Sequence, residues 1–295
     1  MTGSLLHSNR LFLGALLLCA CVEERPGLVG TASLAIEVMS PADLGTAEHR
    51  LDESVRSATM TVTAIDRQGL VDSRFSVDVD VYTHFLGTLS PTRGGDLAPF
   101  QLTLSAGVGT ATVDLPLAFG PTYLWVEDVT GSGATFATGT SKVFWYREPF
   151  LADVSRPPDE SRLEALSRSS LDGKQVTVGA SEHGADGRLV VTGVFAQGYT
   201  LSDVDCAERP CSAGPYAHIY VFTFGRPRDV NDVAIAVGHT VATVGGGVGE
   251  FNGLTELNFP QTVLAEADID ESLVPLPVRL DPKWLLSPAG ADGMI

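Results

Sequence analysis

Apolar and polar residues alternate along the first half of the chain. In the run from Phe75 to Tyr82, apolar side chains occupy every second position and aspartates lie between the valines. A period of two is typical of a strand in an antiparallel sheet that buries one face and exposes the other. The pattern predicts strands between residues 31 and 154 at 33–38, 58–65, 75–82, 101–104, 109–115, 122–127 and 141–146.

Short strands separated by turn residues predict a β-sandwich over residues 31–154. Three runs carry a family resemblance: Val62-Thr-Ala-Ile-Asp66, Gly109-Thr-Ala-Thr-Val-Asp-Leu115, and Leu117-Ala-Phe-Gly120 followed by Leu124-Trp-Val-Glu-Asp128. They resemble the immunoglobulin-like modules of bacterial surface proteins. The Cys–Trp–Cys signature of antibody domains is missing, so the resemblance implies an Ig-like sandwich without a disulfide across its core.

The β pattern stops at residues 149–172. Arg156-Pro-Pro-Asp159 is typical of a stiff linker. Leu163, Leu166 and Leu171 follow at mixed helical spacing and predict one short helix. We therefore assign residues 155–184 to a linker that contains this helix.

A second set of strands is predicted at 188–195, 198–203, 217–224, 239–250 and 251–257, with a turn of helix in 229–237. Asn252-Gly253 predicts a tight hairpin between the last two strands. Five strands with a longer connection after the third follow the order of an OB-fold. The sequence therefore predicts an all-β chain. The sandwich is followed by an OB-like five-stranded barrel over residues 185–270 and by a tail over 271–295.

The barrel region also carries a resemblance. Val191-Thr-Gly-Val194, the run from Thr240 to Val248 and Gly249-Glu-Phe-Asn-Gly-Leu-Thr-Glu-Leu257 resemble the OB-type modules attached to extracellular bacterial nucleases. That resemblance implies a fold and an accessory role, because such modules often lack a catalytic centre. The glycines at 245–249 lie within a predicted strand and open no helix, so we expect them to let a barrel strand bend.

The first residues have the features of an export signal. Residues 11–21 are apolar, follow Arg10 and precede Glu23 and Glu24; the run is too short to span a bilayer. Its end, Leu18-Cys-Ala-Cys21, resembles the bacterial lipobox. The resemblance implies a signal peptide over residues 1–20, lipid on Cys21 and a tether over 21–30. Val22 in place of Asp points to the outer membrane of a Gram-negative bacterium. A plain secretory signal is the alternative.

Besides Cys21, two cysteines remain in the mature chain. Cys206 and Cys211 are separated by four residues, and in an exported protein such a pair predicts a disulfide that closes a short loop. Zinc is the rival interpretation, but the loop contains no histidine.

Motifs of metal-dependent, nucleophilic and nucleotide-binding enzymes are absent from the sequence. Asp78 and Asp80 fit a calcium site, but two exposed acids on the wet face of a strand explain them more simply. The only metal hypothesis worth testing combines His218 and His239, on strands expected to be neighbours, with Asp203 or Asp205. We therefore assign no metal, no cofactor and no catalytic residue.

The charge argues against nucleic acid. Without residues 1–20 the chain has 18 basic and 36 acidic residues. An OB groove that binds single strands needs basic residues and stacking rings. Tyr199, Tyr220, Phe222 and Phe224 supply rings, though we expect such rings more often in the barrel core, and Arg226 and Arg228 form the only basic spot.

These observations predict a lipid-anchored, exported, non-catalytic binding or structural module at the cell envelope, with a protein or glycan partner. Two alternatives remain open. One is a nucleic-acid-binding accessory of a secreted nuclease system, with contacts from Tyr220, Phe222, Arg226 and Arg228. The other is a hydrolase whose site assembles from scattered residues, which convergent histidines and acids in one pocket would support.

Acylation of Cys21 is directly testable. Mass spectrometry of the mature protein from its native host is expected to show a diacylglyceryl group on Cys21. Cys21→Ser is expected to move the protein out of the membrane fraction, whereas Cys19→Ser, preceded by the bulky Leu18, leaves fractionation unchanged. Unaltered membrane fractionation of Cys21→Ser would contradict the lipobox interpretation.

Overall fold

The computed structural model describes residues 30–88, 99–128, 137–161 and 168–277. The predicted acylation site Cys21 lies outside these residues, as do positions 162–167 of the predicted linker helix. In the described residues the structure is almost entirely β, which confirms the predicted class. No described helix is both long enough and apolar enough to cross a membrane.

The described strands vary in length from two residues to sixteen. Those before the middle of the chain are β1 (Thr31–Ser40), β2 (Ser57–Asp66), β3 (Asp78–Phe85), β4 (Gly87–Thr88), β5 (Phe100–Thr103), β6 (Val108–Asp114), β7 (Pro121–Asp128), β8 (Thr138–Thr140) and β9 (Phe144–Trp145). Those after it are the helix α1 (Leu151–Ser155), β10 (Lys174–Gly179), β11 (Gly187–Phe195), β12 (Gly198–Asp205), β13 (His218–Phe222), β14 (His239–Phe251) and β15 (Leu254–Ile269).

The first nine strands form the predicted Ig-like sandwich, apart from β4. One sheet has the order β1-β2-β6, and the other has the order β5-β3-β7-β8 with β9 beside β7. The alternation predicted for β2 is confirmed, since Met60, Val62 and Ala64 are fully buried. Burial of these apolar side chains between the two sheets stabilises the sandwich.

Strand β3 is shorter than predicted. Phe75 is buried as expected, but its amide donates to the carbonyl of Asp72 in a turn, and its carbonyl accepts from Gly107. These bonds tie Phe75 to the β5–β6 connection instead of to a neighbouring strand. The strand therefore begins at Asp78.

The barrel has the predicted OB order. Its strands run β11-β12-β13-β15-β14, and β14 returns to β11 to close the circle. Only β13 and β15 pair in parallel among these strands. The interior is filled by alternating apolar side chains, with Leu189, Leu201, Val221, Val244 and Leu257 fully buried.

A tight turn joins β14 and β15 at the predicted dipeptide. Asn252 and Gly253 both have positive φ, at 53° and 81°, as a two-residue hairpin turn of type I′ requires. Within β14, Gly246 approaches β15 so closely that a Cβ there would lie 3.0 Å from the carbonyl oxygen of Asn258. The glycines thus serve a bent, tightly paired strand, as the sequence predicted.

Strand β10 lies in the range that the sequence analysis assigned to a linker. It pairs with β14 on one side and with β4 of the sandwich half on the other. The barrel sheet therefore continues into the first half of the chain, and one hydrophobic core includes Phe85 and Val126 as well as Val178 and Val244.

The predicted turn of helix at 229–237 is absent. The Asp229 carboxylate accepts hydrogen bonds from the amides of Asn231 and Val233, and Asp232 has a φ of 65°. An aspartate that binds the amides following it favours a turn over a helix.

The loop after β12 carries the predicted cysteine pair. Cys206 and Cys211 form a disulfide with their Cα atoms 4.4 Å apart. Cys211 packs with Val190, Val204 and Leu273 in a small second core. Leu273 belongs to a single helical turn, Glu271–Leu273, so the first residues of the predicted tail contact the barrel.

Candidate binding face on the barrel

Five aromatic rings follow one another across the outside of the barrel. Phe195 lies at the end of β11, Tyr220 and Phe222 on β13, Phe224 just after β13, and Phe259 on β15. Ring centroids are 6.0 Å apart for Phe195 and Tyr220, 4.4 Å for Phe222 and Phe224, and 5.1 Å for Phe224 and Phe259. We call Phe195, Tyr220, Phe222, Phe224 and Phe259 the aromatic row.

The alternation of β13 directs its rings outward. Ile219 and Val221 are buried in the barrel, so Tyr220 and Phe222 between them point to the opposite face. The expectation that these rings belong to the core was therefore wrong for β13. It holds for Tyr199, which is fully buried and has its hydroxyl 2.6 Å from that of Thr262.

Two members of the row are both exposed and strained. Phe224 is 56% exposed with φ of 60°, and Phe259 is 72% exposed with φ of 51°. A bulky residue in the left-handed region costs of order 1 kcal/mol or more, and an exposed ring gains little from burial. The fold therefore holds these two rings in water at a cost in stability.

A cavity of about 570 Å³ adjoins the row. Phe195, Tyr220 and Leu254 form its apolar wall, and Leu254 is itself half exposed. Polar groups at its edge come from Ser155, Thr200, His218 and Thr255. A mostly apolar cavity with a few polar groups has the composition of a binding site.

The polar groups beneath the cavity form a short hydrogen-bonded series. The Thr192 and Ser202 hydroxyls lie 3.1 Å apart, and the Ser202 hydroxyl lies 2.6 Å from Nδ1 of His218. This is the spacing of a serine nucleophile with its base. Ser202, however, is fully buried, so a substrate carbonyl has no access to its oxygen.

The two arginines predicted to contact nucleic acid differ in availability. Arg228 donates to the carbonyl of Asp232 and lies 3.3 Å from its carboxylate. Arg226 is exposed and has no ion pair within the described ranges. Of the predicted basic spot, only Arg226 remains available to a phosphate.

The surroundings of the row are acidic. Glu256 is opposite Tyr220 in the parallel β13–β15 register and is largely buried. Burial, then the charge of Glu250, raises the pKa of Glu256. Burial, then the negative charge of Glu256, raises the pKa of Tyr220. An anionic ligand would approach this face against negative charge.

The metal hypothesis from the sequence is wrong in its geometry. His218 on β13 and His239 on β14 are not on neighbouring strands, because β15 lies between them. Asp203 instead binds His183, whose Nε2 lies 2.7 Å from the Asp203 carboxylate. Within the described residues, no three His, Cys, Asp or Glu side chains are placed to hold a metal ion.

The His183–Asp203 pair borders a second cavity, of about 550 Å³, that Glu182, Asp186 and Asp205 also line. Both ring nitrogens of His183 are engaged, Nε2 by Asp203 and Nδ1 by the carbonyl of Gly179 at 3.0 Å. Two acceptors favour the doubly protonated ring. Neither ring nitrogen of His183 is left to take a proton from a nucleophile. The histidine and the acids that meet here therefore indicate a structural ion pair.

The pair also fixes the helix that connects the two halves. The second oxygen of Asp203 accepts from the amide of Leu151 at the start of α1, and the ring of Phe150 contacts His183 edge-on at 4.7 Å. Sequence reasoning missed His183 because 20 residues separate it from Asp203. No local pattern connects them.

A scan against protein-family models finds no match, and searches of curated proteins and of solved structures find none either.

The His183–Asp203 ion pair predicts a pH-dependent stability. Burial opposes the charge on His183, but the hydrogen bonds to Asp203 and Gly179 and the charge of Asp203 outweigh it and raise the pKa of His183. A raised folded-state pKa contributes stability that is complete below the unfolded pKa of about 6.5 and is lost as the pH rises through the folded value. His183→Gln is therefore expected to lower the free energy of unfolding by about 2 kcal/mol near pH 5.5, and by less near pH 9.

Urea unfolding of the full chain at the two pH values measures this difference. The matched control is His49→Gln, since His49 is exposed and outside the pair. An equal loss of stability for His183→Gln at both pH values would show that the ring acts through packing and not through its charge.

Proposed function

We propose that this chain is an exported, lipid-anchored, non-catalytic binding module of the cell envelope, and that its barrel binds a protein partner through the aromatic row and the adjoining cavity. The observation that carries the proposal is the pair Phe224 and Phe259, two exposed rings held at positive φ. Strained residues cluster at functional sites, where binding compensates for their cost.

The composition of the face favours a protein over a nucleic acid. Protein interfaces are enriched in aromatic residues and depleted in charged residues at their centre. The row and Leu254 meet this description, and a contiguous exposed apolar patch on a monomer commonly marks an interaction site. A phosphate backbone would instead need several cations.

Photo-crosslinking in the native host tests the proposal. A photoreactive phenylalanine analogue at position 254, in the cavity wall, is expected to give one discrete protein adduct in the membrane fraction. Phe224→Ser combined with Phe259→Ser is expected to reduce its yield about tenfold or more, because central aromatic residues dominate binding free energy. Leu70→Ser with Val71→Ser removes comparable exposed apolar surface from the sandwich and is the matched control.

Two results would contradict the proposal. One is an adduct that forms equally in the double variant of the row. The other is an adduct that contains nucleic acid or glycan in place of protein. That result would assign the site to a different class of partner.

The nucleic-acid alternative has its own test on the full chain. A generic single-stranded oligonucleotide is expected to show no change in fluorescence anisotropy at about 0.15 M salt, since Arg226, the available arginine of the predicted basic spot, would neutralise about one phosphate. Micromolar binding that is lost in Arg226→Ala and retained in Arg67→Ala would establish that alternative. Arg67, an arginine of the sandwich, serves as the control because it lies after β2, outside the barrel.

A further inference from the structure

The sandwich has a second aromatic surface that the proposed function does not use. It lies on the outer face of the sheet β5-β3-β7-β8, where the antiparallel register of β3 and β7 places Tyr82 opposite Trp125 and His84 opposite Tyr123. The buried neighbours Val79, Val81, Leu124 and Val126 point into the sandwich, so these four side chains point away from it.

The four rings form one group. His84 stacks on Tyr123 with centroids 5.5 Å apart and an interplanar angle of 18°. His84 also contacts Tyr82 at 6.2 Å and Trp125 edge-on at 6.3 Å. All four are half-buried.

Two carboxylates continue the group along the same face. The next pair in the register is Asp80 opposite Glu127. Directly opposite residues have Cβ atoms about 5 Å apart, and like charges there destabilise a sheet. One Asp80 oxygen is shielded from solvent and has no hydrogen-bond partner among the residues that the structure describes. A shielded carboxylate oxygen without a partner calls for an explanation such as an ion, because its negative charge is left uncompensated.

Few polar contacts offset the negative charge of these two carboxylates. The Trp125 indole N–H donates to Glu127 at 3.1 Å, and the Tyr82 hydroxyl lies 3.5 Å from the other Asp80 oxygen. Burial, then the charges of Glu127 and Asp80, raises the pKa of Tyr82 to about 12. Neither β3, β5, β7 nor β8 contains a lysine or arginine.

We propose that this surface binds an organic ammonium group, held between Asp80 and Glu127 and against the rings of Tyr82 and Trp125. The arrangement supplies both interactions that such a cation makes, charge pairing with carboxylates and attraction to the faces of aromatic rings. A ligand ammonium also removes the repulsion between the opposed carboxylates.

Other cations fit less well. Calcium takes six to eight oxygen ligands, whereas two carboxylates and aromatic rings supply too few. A cation lies near the His84 end of the strand, since the Lys174 ammonium lies 4.5 Å from the ring of Phe85, the next residue along β3, whose side chain points into the core. Burial and the charge of Lys174 lower the pKa of His84. We therefore place the positively charged ammonium of the ligand at the end of the ring group formed by Asp80 and Glu127.

Calorimetry on the full chain with choline as the probe tests the site. Choline is expected to bind with a millimolar or lower Kd. Its neutral isostere 3,3-dimethylbutan-1-ol, which keeps the shape and lacks the charge, is expected to bind at least about tenfold more weakly. Glu127→Gln is expected to weaken choline binding about tenfold. Asp78→Asn is the matched control, because Asp78 lies on the same face of β3 but is exposed and accepts a hydrogen bond from Thr103.

Three results would overturn the inference: no choline binding up to about 10 mM, equal binding of the neutral isostere, or a neutral oligosaccharide that binds where choline does not. If Glu127→Gln fails to fold, the wild-type chain still decides the matter. Its affinity for choline must fall as salt screens the carboxylates, whereas purely apolar binding would not weaken. None of these outcomes depends on the aromatic row of the barrel.

Discussion

The backbone hydrogen bonds of β14 are the constraint on which the rest of the structure depends. This strand pairs with β15 along most of its length, with β11 near Val241 to close the barrel, and with β10 near Gly246. Because β10 also pairs with β4, the same strand links the barrel to the first half of the chain. A strand with three partners has to bend, and side chains at the bend would collide with β15. The glycines of β14 are therefore a structural requirement, and they leave no phosphate-binding loop.

Local patterns predicted most of the strands but not all of their neighbours. Alternation located β2, β7 and β12 to within a few residues, and Asn252-Gly253 predicted a turn that its positive φ angles require. The β10–β4 pair was missed because β4 has two residues and β10 six, too few for a clear period. The supposed contact of His218 with His239 failed because β15 inserts between their strands, an arrangement set by closure of the whole barrel.

The sequence indicated aromatic residues of the barrel face but not the direction in which their side chains point. On β13 both faces are apolar, with Ile219 and Val221 alternating with Tyr220 and Phe222. Hydrophobicity then gives no indication of which set enters the barrel. The space inside the barrel decides which set is buried. It accommodates aliphatic side chains and Tyr199, so the rings of Tyr220 and Phe222 face outward. Phe224 lies just after β13 and Phe259 lies at a register shift of β15, and no periodicity in the sequence describes the direction of a side chain at such positions.

Charge then determines what these outward surfaces can attract. In the described residues, Arg50, Arg74, Arg147, Arg156, Arg209 and Arg228 each lie beside a carboxylate of this chain. Such internal pairs neutralise the basic side chains locally, while the sequence contains nearly twice as many acids as bases. The field outside the molecule is therefore set by unpaired carboxylates, which repel anions at long range and concentrate cations. An apolar row on the barrel and an acidic, ring-lined face on the sandwich are both consistent with that field, because neither requires a negatively charged ligand.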